Sequence, residues 1–441
     1  MSLALYGGTV LSSFDEPRLV RANVMIEGDR IASVGPGSEG APGRDCTGCL
    51  IIPGNVCAHT HLYSALARGM PYRLEPPGTF VEILQRVWWR LDRALDEDAV
   101  RASALVGGME ALLCGTTTVL DHHASPNAID GSLDVMADAL ETLGLRSILC
   151  YEVTDRDGPE RARSGVAENQ RFLASTRRLT RGVFGAHASF TLSPDTLAAC
   201  VDGARSAGVG LHIHVAEDAA DQRDAQARDG RRVVRRLADA GALERGAILA
   251  HCVHVEADEI AAIKAAGACV AHNARSNMNN AVGHTPVGQF GDRVVLGTDG
   301  IGGDMFAESQ AAYWRAREEN VFLGSAWPLD RLAAGAHLAG RIFGDPALGR
   351  VVPGAPADLA VLEYAPPTPL HDQNVAGHWV FGLSSRFVRD VVVAGELVVA
   401  DRRLTRVDQG RLVADAAWQA ERLWRRLDEI RPHEFKPAGM P

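Results

Sequence analysis

Residues 50–61 read LIIPGNVCAHTH, an apolar run that ends in two histidines one residue apart. Such a run is typical of a buried strand, and side chains at positions i and i+2 of a strand point to the same side. His59 and His61 can therefore face one metal ion at the end of this strand. Taken alone, this pair is weak evidence for a metal site, because two histidines that only hydrogen-bond at a strand end would give the same sequence pattern.

Seven further apolar strands follow, with amphipathic helices between them. The eight candidates are VCAHTH (56–61), TTTVLDHH (116–123), RSILCYEV (146–153), GVFGAHAS (182–189), GLHIHVAE (210–217), AILAHCVHV (247–255), CVAHNARS (269–276) and VVLGTDG (294–300). Eight strand–helix units over roughly 290 residues predict an α/β fold of the (β/α)8, TIM-like barrel type. No glycine-rich dinucleotide fingerprint or P-loop supports a doubly wound sheet instead.

The sequence pattern at the two ends of the chain differs from that of the middle and is typical of short strands joined by tight turns. We predict that residues 1–55 and 350–410 pair as one small composite β-sandwich beside a barrel of residues 56–349. Residues 411–441 are predicted to be a C-terminal helical segment, in which apolar and charged residues alternate at helical spacing. Trp418 and Trp424 would be its packing residues.

Composition excludes several classes of function. The 441 residues include 45 basic and 55 acidic side chains, and the resulting net charge of −10 disfavours nucleic acid or an anionic membrane as a partner. No signal-peptide pattern or membrane-length apolar run is present, so we expect a cytoplasmic enzyme. The eight cysteines do not form a disulfide framework, and the role of the pair Cys46 and Cys49 is open.

Polar residues recur where the predicted barrel strands end, which is where such barrels place their active sites. Strand five ends with His214 and Glu217, and strand six with His251 and His254. Asp299 follows four apolar or small residues of strand eight, where a buried carboxylate is costly unless it is paired or ligates a cation. Asp299 alone could be a helix cap, but several strand ends of this kind together favour a metal site.

The motifs AHTHLYSALARG (58–69), HVAE (214–217), AHCVH (250–254) and GTDG (297–300) occur in this order along the chain. They resemble the cytosine deaminase and triazine hydrolase branch of the amidohydrolases, and the resemblance covers nearly the whole chain. HTHLYSALARGMP, LDHHASP, GAHASFTLS and LGTDGIGGDMF resemble most closely the SsnA-like aminohydrolases of that branch. The resemblance implies a metal-dependent hydrolase, with the sandwich split between the two chain ends.

The resemblance also implies roles for single residues. The metal ligands would be His59, His61, His214 and Asp299. The catalytic residues would be Glu217, His251 and Asp299: Glu217 shuttles a proton, His251 stabilises developing charge, and Asp299 takes a proton from the attacking water. His254 is the competitor for the position of His251.

Strand four bears on the number of ions. Binuclear relatives carry a bridging carboxylated lysine at its end, but this sequence offers His187 there. One divalent ion is therefore expected. Zn²⁺ suits the ligands, although Fe²⁺ or Mn²⁺ would also accept them.

Substrate contacts are expected from the loop and helix after strand one and from other strand ends. The candidates are Gln85, Trp88, Trp89, His122 and His187. Tandem tryptophans could stack on a flat heterocycle, although packing of their helix on the barrel explains them equally well.

These residues predict hydrolytic deamination of an aminated heterocycle of the purine, pyrimidine or pterin type. A second possibility is a dechlorinase or a cyclic amide hydrolase, acting on a triazine or a hydantoin-like compound. A non-catalytic metal-binding barrel is disfavoured, because the ligands and the acid–base residues are all present. The partner would be a small-molecule substrate, and the resemblance implies a homo-oligomer, a dimer or larger.

Overall fold

The computed structural model describes residues 2–36 and 42–439, so the outermost residues of the predicted terminal segments lie outside the described ranges. The strands are β1 Ser2–Leu11, β2 Leu19–Glu27, β3 Arg30–Gly35, β4 Gly43–Asp45, β5 Leu50–Pro53, β6 Asn55–Thr60, β7 Thr116–His123, β8 Arg146–Tyr151, β9 Thr180–Gly182, β10 Phe184–Ala188, β11 Leu211–Val215, β12 Ile248–His251, β13 Cys269–His272, β14 Val294–Leu296, β15 Leu359–Leu362, β16 Val388–Val393, β17 Glu396–Ala400 and β18 Arg403–Leu404.

Helices separate most of the strands between β6 and β15, and two further helices follow β15. They are α1 Phe80–Ile83, α2 Trp89–Ala94, α3 Glu97–Leu113, α4 Ser132–Leu143, α5 Pro159–Leu173, α6 Pro194–Ala207, α7 Ala219–Asp229, α8 Val233–Asp239, α9 Ala257–Ala266, α10 Ala274–Asn279, α11 Val287–Phe290, α12 Met305–Glu319, α13 Trp327–Phe343, α14 Val375–Phe381 and α15 Gln409–Glu429. A π-helical turn, Leu84–Trp88, lies between α1 and α2.

The strands β6 to β14 form a closed parallel barrel. One sheet has the order β6-β7-β8-β9 and the other β10-β11-β12-β13-β14. Parallel bridges between Val153 and Ala186 and between Thr60 and Asp299 join their edges. The predicted fourth strand changes partner at Val183, since β9 pairs with β8 and β10 pairs with β11. The prediction of a (β/α)8 barrel is confirmed.

Burial explains why these segments read as continuous apolar runs. Every residue of β6, β7, β8 and β10 to β14 is buried, as expected for parallel strands covered by helices. Local capping then sets the helix starts: Asp96 accepts a hydrogen bond from Ala99 N at 2.9 Å ahead of α3, and Ser193 accepts one from Thr196 N ahead of α6. Because the barrel strands are parallel, their last residues lie at the same end of the barrel.

Strands from both chain ends share one nine-stranded sheet. Its order is β18-β17-β16-β15-β5-β1-β2-β3, with β4 paired to β1. The two ends meet where β5 and β15 pair antiparallel, with Ile51 opposite Val361. Only Gly54 separates β5 from β6, and a Cβ there would lie 2.2 Å from the side chain of Thr117, so no larger residue fits. The sheet is therefore attached directly to the first barrel strand, while the exact segment boundaries stay predictions.

The helix α15 packs along α2 and α3 through an apolar stripe that includes Leu412, Leu423 and Leu427. Trp424 also packs inward, and its Nε1 donates to the carbonyl of Leu66 at 2.8 Å. Trp418 does not, because it faces solvent with 56% of its surface exposed. Among the described residues, none of the helices combines the length and the apolar character needed to cross a membrane.

Candidate active site

Four buried or nearly buried side chains converge at the carboxyl end of the barrel. His59, His214, His251 and Asp299 each offer a ligand atom, and these atoms lie within 4.8 Å of one another. His61 joins them, since its Nε2 lies 3.0 Å from Asp299 Oδ1 and 3.1 Å from His214 Nε2. The structure thus brings together all four residues predicted as metal ligands, with His251 beside them.

The far ring nitrogen of each of two histidines is bound to a backbone carbonyl. His61 Nδ1 donates to the carbonyl of His122 at 2.6 Å, and His214 Nδ1 donates to that of His187 at 2.9 Å. Such bonds set the tautomer and orientation of a metal-binding imidazole. In both residues the Nε2 atom is left to face the cluster.

Side chains orient the other two members of the predicted set. His59 Nδ1 lies 2.8 Å from Nε2 of the buried His212, and Ser276 Oγ donates to Asp299 Oδ2. His212, two residues deeper in β11 than His214, is therefore a supporting residue of the site. Outer contacts of this kind commonly accompany metal ligands.

One nitrogen of the cluster has no hydrogen bond. His251 Nε2 is buried and finds no hydrogen-bond partner among the described residues, while its Nδ1 lies 2.8 Å from Asn277 Oδ1. A buried polar atom without a partner calls for an explanation such as an ion. Nitrogen and carboxylate oxygen donors are those that zinc-type ions take, so the residues present fit a divalent cation.

The electrostatics of the cluster favour a cation. Burial lowers the pKa of His59 to about 3, and it also holds the pKa of His214 well below its usual value. Burial opposes ionisation of Asp299, but hydrogen bonds from His59 and His61 hold its pKa well below the usual range. Burial likewise opposes charge on His61, but the hydrogen bond and charge of Asp299 raise its pKa to about 9. The site therefore already attracts positive charge to Asp299.

Backbone strain concentrates at the same strand ends. Ala216, His251, Cys252 and Asp299 have φ angles of 47°, 73°, 50° and 54°, a region that residues with a Cβ rarely adopt. Such conformations persist where the surrounding structure enforces them, often at functional sites. Here they turn the chain sharply as β11, β12 and β14 end.

A cavity of about 1000 Å³, including the open space at its mouth, lies against the cluster. We call the two parts of its lining the metal end and the aromatic end. The metal end is lined by His61, His214, Glu217, Ser276 and Asp299. The aromatic end is lined by Phe80, Leu84, Trp88, Trp89 and Phe190.

Glu217 lies at the metal end, just after β11. Its Oε2 is 3.5 Å from His251 Nε2. Burial raises the pKa of Glu217 to about 7, with the charge of Asp299 raising it further and His251 opposing. A carboxyl group with this pKa can both hold and release a proton at neutral pH.

The five predicted substrate contacts fall into two groups. Trp88, Trp89 and His187 line the cavity. Gln85 does not, because its Nε2 donates to the carbonyl of Phe435 at 2.8 Å. His122 also lies behind the lining, with its Nε2 3.1 Å from the carbonyls of Ala186 and His212.

The position of the second strand-six histidine is also clear. His254 Nε2 donates to the carbonyl of Val282 at 2.9 Å, outside the cluster that contains His251. Elsewhere, Cys46 and Cys49 are free thiols whose sulfur atoms each lie 3.5 Å from the guanidinium of Arg389. All eight cysteines are free.

Sequence reasoning missed a buried charged group on the cavity wall. Glu152 lines the cavity, its Oε2 is 3.1 Å from His122 Nδ1, and its Oε1 is 3.5 Å from Arg156, which also pairs with Asp92. Burial opposes ionisation of Glu152, but His187, His122 and Arg156 lower its pKa. Glu152 follows the apolar run ILCY as Asp299 follows VVLGT, so the same argument could have found it.

Comparisons with known proteins agree on one family. The model of the amidohydrolase family matches residues 50–398. A 5-methylthioadenosine/S-adenosylhomocysteine deaminase of Pelotomaculum thermopropionicum is 31% identical, covering 96% of this chain and 99% of its own. An adenosine deaminase structure from Xanthomonas campestris with bound zinc has a TM-score of 0.83 at 23% identity, covering 96% of this chain and 98% of its own. An atrazine chlorohydrolase structure from Arthrobacter aurescens with zinc has a TM-score of 0.80 at 23% identity, and the match covers 95% of this chain and 100% of the chlorohydrolase chain. The resemblance inferred from the motifs is confirmed, and the chain belongs to the amidohydrolase family.

Proposed function

We propose that this chain is a hydrolytic deaminase of an aminated purine, in the first instance the adenine ring of a nucleoside, and that it uses one zinc-type ion. The observation that carries the proposal is the position of Glu217, which lies beside the histidine and aspartate cluster in a cavity with an aromatic wall. Hydrolytic deamination of an aminated heterocycle fits the family and this cluster. The name of the Pelotomaculum relative favours adenine nucleosides over pyrimidines or pterins.

His59, His61, His214 and Asp299 would hold the ion. When bound, a zinc-type ion acts as a Lewis acid and allows water to act as a nucleophile at neutral pH. A single ion is favoured although Glu152, His187 and His214 also place ligand atoms within 4.8 Å of one another. Glu152 is already paired with Arg156, and strand four supplies no lysine.

The residues of the chain would move the protons of the reaction. Water adds to the ring carbon that bears the amino group, and Asp299 Oδ1 accepts the proton that this water loses. Glu217 Oε2 donates a proton to the adjacent ring nitrogen, while His251 Nε2 stabilises the charge that develops on the added oxygen. The carbon–nitrogen bond then breaks, and the amino group leaves as ammonia after it receives the proton held by Asp299. As the ring carbonyl forms, the remaining hydroxyl proton of the added water passes to Glu217, which restores its proton.

The aromatic end would bind and orient the ring. Trp88, Trp89 and Phe190 offer flat apolar surface, which suits an aromatic heterocycle and displaces water from it. Orientation matters because the reacting carbon must meet the attacking water and Glu217 together.

A substrate panel with metal analysis tests this proposal. Purified protein is analysed for bound metal. It is then assayed for ammonia release with adenosine, 5'-methylthioadenosine, S-adenosylhomocysteine, cytosine and a pterin that carries an amino group. Chloride release is assayed with a chlorotriazine. We expect about one metal ion per chain and ammonia from the adenine nucleosides. Chloride release from the chlorotriazine without ammonia from any other compound would contradict the deaminase assignment. No turnover of any compound by fully metal-loaded protein would favour a non-catalytic barrel.

We also propose that the chain forms a homodimer or a larger homo-oligomer. Trp314, Phe322 and Phe381 are 47%, 92% and 69% exposed, and the rings of Trp314 and Phe381 lie 5.3 Å apart, which gives an apolar surface for a subunit contact. Light scattering of the purified protein tests this, and a monomer at micromolar concentration would contradict it.

A further inference from the structure

The last described residues of the chain pack behind the aromatic end of the cavity. We call residues 430–439 the C-terminal strap; they follow α15 without further helix or strand. Their exposure alternates, because His433 and Pro437 are buried and Phe435 is half-buried, whereas the residues between them are exposed. This period of two is that of an extended chain with one side against the protein.

The strap is bound to the π-helical turn that carries Trp88. His433 N donates to the carbonyl of Gln85 at 2.9 Å, and Gln85 Nε2 donates to the carbonyl of Phe435 at 2.8 Å. One residue of the turn therefore binds the strap twice. π-Helical turns inside helices are often found at functional sites.

The inward side chains of the strap pack on the cavity wall itself. The ring of Trp89 lies 5.3 Å from His433 and 5.8 Å from Phe435, both edge-on, and Phe190 lies 6.4 Å from Phe435. Trp89 Nε1 makes no hydrogen bond to the described residues. The position of this indole therefore depends on the groups packed around it, including Arg156 at 5.4 Å.

The far end of the strap reaches α7, whose first turn lines the cavity. Ala438 N donates to Asp224 Oδ1 at 2.7 Å. Asp224 lies in α7, the helix that begins two residues after Glu217. The strap thus connects the turn beneath the tryptophans with the helix that follows the proposed proton donor.

We propose that the C-terminal strap determines substrate specificity, with Phe435 and His433 as positioning residues that hold Trp89 and Phe190 together as one aromatic wall, in which their ring centroids lie 6.4 Å apart. This inference rests on the proposed function, in which an aromatic ring binds against these side chains. Neither strap residue lines the cavity, so both act through the aromatic residues they contact. Loosening the strap should weaken substrate binding more than it slows the reaction.

Phe435→Ala tests the proposal, with Glu434→Ala as the matched control because Glu434 is the exposed neighbour. We expect Phe435→Ala to raise KM for adenine nucleosides about five- to tenfold, because about two aromatic ring contacts are lost, with kcat within about twofold. Phe435→Tyr should restore KM, and Glu434→Ala should leave it unchanged. The metal content should be the same in all variants.

A second measurement does not depend on turnover. Iodide should quench tryptophan fluorescence more strongly in Phe435→Ala than in the parent protein, and the difference should vanish in a Trp89→Phe background. If Phe435→Ala does not fold, Phe435→Leu replaces it, since it keeps apolar volume but removes the ring edge. Unchanged KM and unchanged quenching would overturn the proposal, as would a fall in kcat with unchanged KM. A parent protein that releases no ammonia would instead contradict the proposed function, while the quenching difference would still test the strap.

Discussion

The metal end and the aromatic end of the cavity are built in different ways. His59, His214 and His251 belong to buried barrel strands, and Asp299 follows one closely, so paired backbone holds them. The aromatic end comes from α1, the π-helical turn, the start of α2 and the turn after β10, and it is held largely by contacts between side chains. The metal end therefore depends on the barrel, whereas the aromatic end can vary with little effect on the barrel. Variants at the two ends should therefore fail in different ways.

The largest effect is expected at a ligand of the metal end. His214→Ala removes a nitrogen donor that belongs to each group of possible metal ligands among the described residues, so bound metal and activity should both fall to background. Metal analysis of the purified variant checks this. His254→Ala, outside the cluster, should keep its metal, and a fully loaded and active His214→Ala protein would refute the ligand assignment.

Glu217→Gln should separate proton transfer from metal binding. The amide keeps the shape of the side chain but cannot deliver a proton, so turnover should drop by about 10²–10⁴-fold with metal content unchanged. Ammonia release over time measures it. Glu244→Gln, at an exposed glutamate, is the control, and normal turnover by Glu217→Gln would mean that another group carries the proton.

Asp221 sharpens the comparison through pH, because it lines the cavity yet lies outside the ligand cluster. Burial raises its pKa to about 7, although the hydrogen bond from Ala216 N opposes the shift. The folded protein therefore keeps this proton up to about pH 7, whereas the unfolded chain loses it near 3.9. The stability that protonation contributes is fully present below the lower value and is lost as pH rises through the upper one.

Asp221→Asn should remove this dependence. Relative to the parent protein, its free energy of unfolding should increase by on the order of 2 kcal/mol between pH 5 and pH 8. Urea unfolding at the two pH values measures the difference. Asp195→Asn, at an exposed aspartate, should follow the parent, and a constant difference for Asp221→Asn would show that the carboxyl group is ionised throughout.

The smallest effect is expected at the aromatic end. Trp88→Ala removes stacking surface from the cavity wall, so KM should rise about tenfold while kcat changes little and the metal stays bound. Steady-state kinetics distinguish the two constants. Trp418→Ala, at the exposed tryptophan of α15, should match the parent, and a large loss of kcat in Trp88→Ala would place this residue in the chemistry instead.

The same division explains what the sequence could predict. An apolar run followed by a polar residue is a local pattern, so the ends of β6, β11, β12 and β14 could be located with their side chains. His212 could be set apart from His214 because it lies two residues deeper in its strand. Glu152 shows that this pattern was available at one more strand end and was overlooked.

Contacts of the strap could not be predicted in this way. The segment RPHEFKP has no apolar run, and the bond between Gln85 and Phe435 joins residues 350 positions apart. The position of Gln85 beside two tryptophans suggested substrate, but its amide binds backbone. Trp418 shows a similar limit, because helical spacing does not say which tryptophan of α15 faces the barrel.

The bridge between Thr60 and Asp299 has a consequence for synthesis in the cell. It pairs the first barrel strand with residues just after the last one. His59 and His61 are therefore synthesised about 240 residues before Asp299, the proposed ligand that completes their site. A nascent chain cannot assemble the set until residue 299 has left the ribosome and docked against β6. Binding of the ion would thus require a completed barrel. Shortened translation products that lack Asp299 would not form the metal site.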